Sequence, residues 1–220
     1  MSAPSSSSDW ATLFRIACSL ISQVNSKQLI IDRWTFGGGT AMMLQIDHRE
    51  SHDVDIFLPD PLFLPYLDPK THDFVFEIQP TDYIGDGARS LKFVFQDIGE
   101  IDFIVASSLT STPTIAKTVE GKDVLLETIP EIITKKIYHR GLSIKPRDIF
   151  DIAAAGDKHA DSVIAELKSY KDEVTKTLST MEKLNPEFVN KAISQLTIKD
   201  KYQAIAKTAI DRAKEILLAV

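Results

Sequence analysis

The first part of the chain carries short runs of apolar residues, several of which alternate with polar ones, as is typical of strands. The runs predicted as strands cover residues 34–36, 53–58, 74–78, 91–95 and 101–105. The last two runs flank Gln96-Asp-Ile-Gly-Glu100 and therefore predict a hairpin.

Helical periodicity occurs at both ends of the chain and between the predicted strands. Asp9 is the predicted N-cap of a helix to about residue 24, and Thr128 begins a capping box before a helix to about Arg140. Pro146 lies in the first turn of a helix to about Ala155. The other predicted helices cover residues 41–46, 160–184, 186–196 and 198–219. We therefore predict an α/β (α+β) fold, with a small mixed sheet, flanking helices and a helical C-terminal region.

The distribution of glycine and proline changes near residue 157. Gly156 is the last glycine, and Pro186 is the only proline after it. We predict a disordered lead over residues 1–8, one domain over 9–156 and a helical region over 157–220.

Composition excludes several classes of protein. Of 220 residues, 44% are hydrophobic and 25% charged, as in globular proteins and unlike disordered chains. No run approaches the roughly 20 apolar residues of a membrane span, so no membrane association is expected. Cys18 is the single cysteine, which excludes a disulfide framework and is consistent with a reducing cytoplasm. The net charge of −6 argues against a basic surface over the whole protein.

Three consecutive glycines and a threonine, residues 37–40, separate a predicted strand from a predicted helix. Glycine permits a sharp turn and a close approach to a ligand. Backbone N–H groups at the start of a helix, together with the Thr40 hydroxyl, can hold a phosphate. A tight turn without a ligand is the alternative, and this motif alone does not decide between them.

Three aspartates are candidate metal ligands. Asp53 and Asp55 lie two residues apart on a predicted strand, so their carboxylates point to one face. Adjacent carboxylates repel unless a cation lies between them, and oxygen ligands suit Mg²⁺ or Mn²⁺; a solvated strand face is the alternative. Asp102 falls in an apolar run, where a buried charge requires a partner. Together with the glycine turn, they predict a two-metal site for phosphoryl or nucleotidyl transfer.

A basic segment follows the predicted hairpin. Lys136 and Arg140 lie four residues apart on one helix face and could bind one anion, while Asp148 and Asp151 share a face of the next helix. The segment could also contact nucleic acid, or form two solvated helices joined by salt bridges. Its five basic residues are Lys135, Lys136, Arg140, Lys145 and Arg147.

Two blocks of sequence combine these residues into ordered motifs. The first block comprises Phe36-Gly-Gly-Gly-Thr-Ala-Met-Met43, His48-Arg-Glu-Ser51 and Asp53-Val-Asp-Ile-Phe57. The second comprises Glu131-Ile-Ile-Thr-Lys-Lys136 and Pro146-Arg-Asp-Ile-Phe-Asp151. Both blocks resemble the AbiEii/AbiGii toxin family, which belongs to the DNA polymerase β-like nucleotidyltransferase superfamily. The resemblance extends over about residues 34–155 and implies a nucleotidyltransferase domain over 9–156.

The resemblance also implies roles for individual residues. The implied nucleotide-binding residues are Gly38, Gly39, Thr40 and Ser51, and the implied metal ligands are Asp53, Asp55 and Asp102. Asp102 is also the implied base for the acceptor hydroxyl. Lys136 would compensate phosphate charge, and Asp148 would orient Lys136 or complete the site.

These observations predict Mg²⁺- or Mn²⁺-dependent transfer of a nucleotidyl group from a nucleoside triphosphate to an acceptor hydroxyl. The resemblance implies a toxin of a type IV toxin–antitoxin system, with an RNA acceptor such as tRNA and a cognate antitoxin. Two other classes remain open. One is a small-molecule nucleotidyltransferase, slightly favoured by the net charge of −6. The other is a non-catalytic nucleotide-binding or interaction module on the same fold.

Overall fold

The computed structural model describes residues 9–220, so the predicted lead over residues 1–8 lies outside the described residues. The chain forms two compact units. Of the described residues, the first unit contains 9–41, Ser51–Ser108 and Thr114–Glu127, and the second contains Met42–Glu50, Leu109–Pro113 and Thr128–Val220.

Within residues 9–220, seven strands form one mixed sheet, which lies in the first unit. The strands are β1 (Thr35–Gly37), β2 (Val54–Leu58), β3 (Asp82–Gly85), β4 (Ser90–Phe95), β5 (Gly99–Val105), β6 (Thr114–Val119) and β7 (Lys122–Glu127). Their spatial order is β3-β4-β5-β2-β1-β7-β6. The pairs β2–β5 and β1–β7 are parallel, and the others are antiparallel. The predicted mixed sheet and the β4–β5 hairpin are confirmed.

Helix α1 (Trp10–Val24) packs on β2 and β5 and buries its apolar stripe there. Phe14 of α1 stacks on Phe36 of β1, with ring centroids 4.9 Å apart. Ile101 and Phe103 of β5 are fully buried, whereas Asp102 between them is not. The sheet therefore has an apolar face under α1 and a second face that carries charged side chains. Asp9 precedes α1 as predicted, although its side chain makes no capping hydrogen bond.

Helix α2 (Gly38–Ile46) begins in the first unit and ends in the second. Six further α-helices of the described residues belong to the second unit. These are α3 (Ile129–Arg140), α4 (Pro146–Leu167), α5 (Lys171–Lys183), α6 (Pro186–Ser194), α7 (Gln203–Lys207) and α8 (Ala209–Leu218). Helix α4 packs against α3, α6 and α8, and the small buried residues Ala209 and Ala213 allow α8 to approach closely. Over residues 9–220, the helices are too short or too polar to cross a membrane.

Some predicted elements are wrong. Residues 74–78 form no strand, because the side chain of Gln23, and not a neighbouring strand, hydrogen-bonds the N–H and C=O of Val75. Strands β3, β6 and β7 were not predicted, and β6 has mostly exposed residues without clear alternation. Short 3-10 turns at Lys168–Tyr170 and Asp200–Tyr202 interrupt two predicted helices. The predicted domain boundary near 157 falls inside the unbroken helix α4.

Candidate active site

Three charged side chains and a glycine form a row across the sheet of the first unit. Lys92 of β4 lies opposite Asp102 of β5, Asp102 lies opposite Asp55 of β2, and Asp55 lies opposite Gly37 of β1. Because paired residues on neighbouring strands share a face, these side chains occupy the face away from α1. We call Lys92, Asp102, Asp55 and Gly37 the sheet row.

The glycine turn and the aspartate pair meet at one end of this row, as the sequence predicts. Gly38 has φ +70°, and a Cβ atom added to it would lie only 1.8 Å from Asp55 Oδ2. Glycine is therefore required at this position both for its backbone conformation and for the close approach of the carboxylate. Gly39 follows within the first turn of α2, where backbone N–H groups lack helical partners.

Thr40 and Ser51 belong to the same unit and are both buried. The Thr40 hydroxyl donates a hydrogen bond to the backbone carbonyl of Asp53, so it fixes the start of β2. The Asp53 carboxylate accepts a hydrogen bond of 3.2 Å from the backbone N–H of Glu100. These contacts hold Asp53 between the glycine turn and β5.

Asp102 has the cationic partner that its burial requires. Lys92 Nζ lies 3.2 Å from Asp102 Oδ2 and also contacts the Glu100 carboxylate. Burial and the negative charge of Asp55 nevertheless raise the pKa of Asp102 to about 6, against the opposing effect of Lys92. Burial makes the largest contribution to this raised pKa, and the neighbouring carboxylate of Asp55 adds to it.

The carboxylates at the sheet row provide some, but not all, of the ligands that a divalent ion needs. Among residues 9–220, no group of three or more histidine, cysteine, aspartate or glutamate side chains is gathered to hold a metal. Mg²⁺ often binds one or two carboxylates and completes its octahedron with waters and substrate phosphates. Asp53 and Asp55 fit that pattern, and the repulsion between Asp55 and Asp102 would be relieved by a cation. The predicted three-carboxylate metal site of Asp53, Asp55 and Asp102 stays a prediction.

Lys136 and Asp148 belong to the second unit, where they form part of a buried ion cluster of His48, Arg49, Lys136, Asp148 and Asp151. Lys136 Nζ lies 2.6 Å from Asp148 Oδ1 and 2.9 Å from Asp151 Oδ2. The Arg49 guanidinium binds both oxygens of Asp151, at 2.8 and 3.0 Å, and His48 Nε2 lies 2.9 Å from the same carboxylate. The cluster thereby joins α3, α4 and the segment after α2.

The charges of this cluster neutralise one another. Burial alone would raise the pKa of Asp151, but Arg49 and Lys136 hold it well below its usual value. Lys136 and Arg140 lower the pKa of Asp148 in the same way. Lys136 and Arg140 therefore do bind one anion, as their spacing predicts, and that anion is Asp148.

Salt bridges join the two helices of this segment, as the alternative predicts, but its prediction that they are solvated is wrong for Lys135 and Lys136. Lys136 is 4% exposed, and Lys135 is 6% exposed and forms an ion pair with buried Glu131. Two of the five basic residues that suggested a nucleic-acid contact are thus in the interior. Lys145 and Arg147 are exposed, and Arg140 is partly exposed.

The sequence matches the family model described as the nucleotidyl transferase AbiEii toxin of type IV toxin–antitoxin systems, over residues 19–215. The chain belongs to the AbiEii toxin family. It is therefore a nucleotidyltransferase toxin of the toxin–antitoxin class, which implies a nucleotide substrate and an antitoxin partner. The resemblance of residues 34–155 is confirmed, and the match also covers most of the helical C-terminal region.

Solved structures with low sequence identity are similar to this AbiEii-family fold. A candidate nucleotidyltransferase from Helicobacter pylori has 14% identity and a TM-score of 0.50, covering 97% of this chain and 95% of its own. JHP933 from Helicobacter pylori has 14% identity and a TM-score of 0.48, with coverage of 97% and 92%. The nucleotidyltransferase toxin MenT4 from Mycobacterium tuberculosis has 14% identity and a TM-score of 0.42, with coverage of 92% for both chains. No curated protein matches the sequence.

Sequence reasoning missed two features of this family member. Lys92 is a polar residue within the alternating strand β4, but its pairing with Asp102 depends on a hairpin register that the sequence does not specify. His48 and Arg49 bind Asp151 in the second unit. Their adjacency to the Asp-Val-Asp motif gave no signal for a partner about a hundred residues later.

Proposed function

We propose that this protein transfers a nucleotidyl group from a nucleoside triphosphate to a hydroxyl group of RNA, with tRNA as the acceptor, in a reaction that requires Mg²⁺ or Mn²⁺. The observation that carries the proposal is the position of Asp55, which lies opposite Asp102 and directly against Gly38. A carboxylate pair beside a glycine turn at a helix start suits a metal–triphosphate complex.

The nucleotide is held by the start of α2 and the carboxylates of β2. The backbone N–H groups of Gly38 and Gly39 would bind the triphosphate, together with Thr40 and Ser51, as the family resemblance implies. Asp53 and Asp55 would hold the divalent ion. When bound, that ion neutralises phosphate charge and polarises the phosphorus that is attacked.

Asp102 accepts the proton of the acceptor hydroxyl. As this proton leaves, the acceptor oxygen bonds to the α-phosphorus and the bond to the β-phosphate breaks, which releases pyrophosphate. The pKa of Asp102, raised to about 6, leaves the carboxylate mostly ionised at neutral pH and still basic enough to take a proton.

Lys136 and Asp148 complete the proposed set of functional residues. The family resemblance assigns Lys136 to phosphate charge and Asp148 to its orientation. The contacts in the second unit support the orienting part, because Asp148 and Asp151 fix the Lys136 ammonium from two sides. We include Lys136 and Asp148 as residues whose loss lowers turnover.

A small molecule is the alternative acceptor, and the net charge of −6 favours it. The exposed side chains of Lys145 and Arg147 favour RNA, because they can contact a phosphate backbone. The cytoplasm, where nucleoside triphosphates and tRNA occur together, is the proposed location.

The test is to incubate the purified protein with each α-labelled nucleoside triphosphate, Mg²⁺ and one of three additions: total tRNA, a small-molecule extract without RNA, or no acceptor. We expect label on tRNA with one or more nucleotides, no transfer in EDTA, and an unchanged melting temperature in EDTA. Label that appears only when small-molecule extract replaces RNA would identify the alternative acceptor class. Transfer that persists in EDTA would contradict the metal requirement.

A further inference from the structure

Three aromatic side chains lie together on the second unit, near the end of α3. Tyr138 and His139 are exposed, Tyr138 to 46%, and Tyr170 is half-buried. The ring centroid of Tyr138 lies 5.6 Å from that of Tyr170 and 4.9 Å from that of His139. Both neighbouring rings are nearly perpendicular to Tyr138, at 79° and 85°, so neither is stacked flat on it. We call Tyr138, His139 and Tyr170 the aromatic surface.

The rings of the aromatic surface are held in place and carry no charge at neutral pH. The Tyr170 hydroxyl donates a hydrogen bond of 2.6 Å to the backbone carbonyl of Leu109, which fixes this ring beside Tyr138. Partial burial and the charges of Lys135 and Arg140 lower the pKa of His139, so its imidazole is neutral at pH 7. A flat, neutral partner can therefore stack here without first ordering these side chains.

The chain that leads away from the aromatic surface is basic. Residues 138–147 contain three basic side chains, Arg140, Lys145 and Arg147, and no aspartate or glutamate. Lys145 and Arg147 are exposed, and Arg140 is partly exposed. Arg140 also lies 3.5 Å from Asp148, so this basic segment adjoins a residue of the proposed functional set.

Three carboxylates near Tyr170 are each bound by a neighbouring side chain or backbone group. The pairs are Glu131 with Lys135, Glu166 with Ser111, and Glu173 with Lys176. Ion pairs and hydrogen bonds of this kind offset the negative charge that an approaching phosphate meets. The exposed aromatic rings are thus followed by cations, a combination that suits a nucleic acid with accessible bases.

We propose that the aromatic surface binds unpaired nucleotides of the RNA acceptor, with bases stacked on Tyr138 and His139 and phosphates bound by Lys145 and Arg147. This inference rests on the proposed transfer to RNA and specifies which part of the RNA is recognised. Every base has a flat face, so stacking on aromatic rings binds single strands of many sequences. The bases of a duplex already stack on one another, and RNA duplexes are instead contacted at phosphates and 2′-hydroxyls. A single-stranded end or loop is therefore the expected occupant.

Binding of two RNAs to the full-length protein tests this inference. Fluorescence anisotropy at fixed salt measures the affinity for a labelled single strand of about ten nucleotides and for an RNA duplex of the same length. We expect Tyr138→Ala to weaken single-strand binding by at least about fivefold and to leave duplex binding unchanged. Tyr138→Phe keeps the ring and should bind like the unmodified protein.

Tyr66→Ala is the matched control, because Tyr66 of the first unit is 40% exposed and also has a histidine ring beside it, His72, at 6.1 Å. We expect it to leave both affinities unchanged. Lys145→Met tests the phosphate contact separately. It should weaken both RNAs by a similar factor and reduce the salt dependence of binding by about one phosphate contact.

The outcomes separate this inference from the proposed function. Equal effects of Tyr138→Ala on the two RNAs, or no effect on either in a folded variant, would overturn the inference while leaving metal-dependent transfer intact. Single-strand binding that depends on Tyr138, in a protein that transfers no nucleotide, would support the inference and contradict the proposed reaction. Circular dichroism melting confirms folding, and Tyr138→Leu, which keeps apolar bulk without a flat ring, replaces Tyr138→Ala if the alanine variant does not fold.

Discussion

The Asp102 carboxylate of the sheet row lies beside other acids and one lysine, whereas each carboxylate of the buried ion cluster has at least two cationic partners. On the sheet, Glu100, Asp102 and Asp55 share one face with Lys92. In the cluster, Asp151 binds Arg49 and Lys136, and Asp148 binds Lys136 and Arg140. The first arrangement retains repulsion between acids, and the second removes it.

The pKa values of the two regions shift in opposite directions for this reason. The pKa of Asp102 is raised to about 6, while that of Asp151 lies well below its usual value although it is fully buried. Repulsion between carboxylates lowers the stability of the fold, and a bound metal ion with its nucleotide can relieve it. Functional sites commonly contain such destabilising charges. The ion cluster instead contributes to the stability of the fold.

The largest expected effect is on catalysis, from Asp55→Asn. This change removes a metal ligand from the sheet row, and we expect turnover to fall by about 10³-fold or more. The free energy of unfolding should stay the same or rise slightly, because the repulsion with Asp102 is removed. Labelled nucleotide transfer and urea unfolding measure the two quantities. Asp123→Asn on β7 is the matched control, and equal loss in both variants would remove Asp55 from the site.

The next largest effect is on stability, from Asp151→Asn. The substitution leaves Arg49 and Lys136 buried without their shared carboxylate, which should lower the free energy of unfolding by about 3 kcal/mol. Asp157→Asn, at an exposed position of the same helix, should change it by less than about 0.5 kcal/mol. Urea unfolding measures both, and similar values for the two variants would show that the cluster does not stabilise the fold.

Substitutions of the adjacent lysines Lys135 and Lys136 on α3 should have smaller effects than Asp151→Asn on stability, and these effects should differ between the two lysines. Lys136→Met leaves two carboxylates short of a cation, and we expect a loss of about 2 kcal/mol in unfolding free energy and about 10²-fold in turnover. Lys135→Met should cost about 1 kcal/mol and little turnover, because Glu131 retains hydrogen bonds from the backbone of Leu109 and Thr110. A greater loss of turnover in Lys135→Met would assign the motif lysine to position 135.

The smallest effect is a change in the acid dependence of stability. The folded pKa of Asp151 is depressed, so its contribution is fully present above the unfolded value of about 3.9 and is lost as pH falls toward the folded pKa. The difference in unfolding free energy between the protein and Asp151→Asn should therefore shrink progressively as the pH falls below about 4. Urea unfolding at several pH values checks this; a difference that grows on acidification would contradict the sign of the shift.

Local patterns predict the parts of the molecule that depend on neighbouring residues. Helices α1, α3 and α6, the β4–β5 hairpin and the contact between Gly38 and Asp55 follow from periodicity, capping and turn residues. The partner of Asp102 cannot be predicted from local patterns, because it depends on the register of the hairpin. In the structure Phe95 pairs with Gly99, and this register places Lys92 opposite Asp102. A register shifted by two residues would place Val94 there, and the turn sequence fits both.

Ion pairs between residues that are far apart in the sequence also cannot be predicted from local patterns. Lys135 and Lys136 look like surface residues of a charged helix, yet both are buried because Glu131, Asp148 and Asp151 neutralise them. Asp151 reaches Arg49 across about a hundred residues of sequence. Only the packing of α3 and α4 with the segment after α2 determines which charges meet.

The most direct test of the sheet row as the functional site is the binding of a non-hydrolysable nucleoside triphosphate in the presence of Mg²⁺, measured by calorimetry without any acceptor. We predict binding by the unmodified protein and by Asp123→Asn, and loss of binding in EDTA and in Asp53→Asn or Asp55→Asn, each with an unchanged melting temperature. Nucleotide binding that survives both chelation and the loss of Asp55 would contradict the assignment of the site to this face of the sheet.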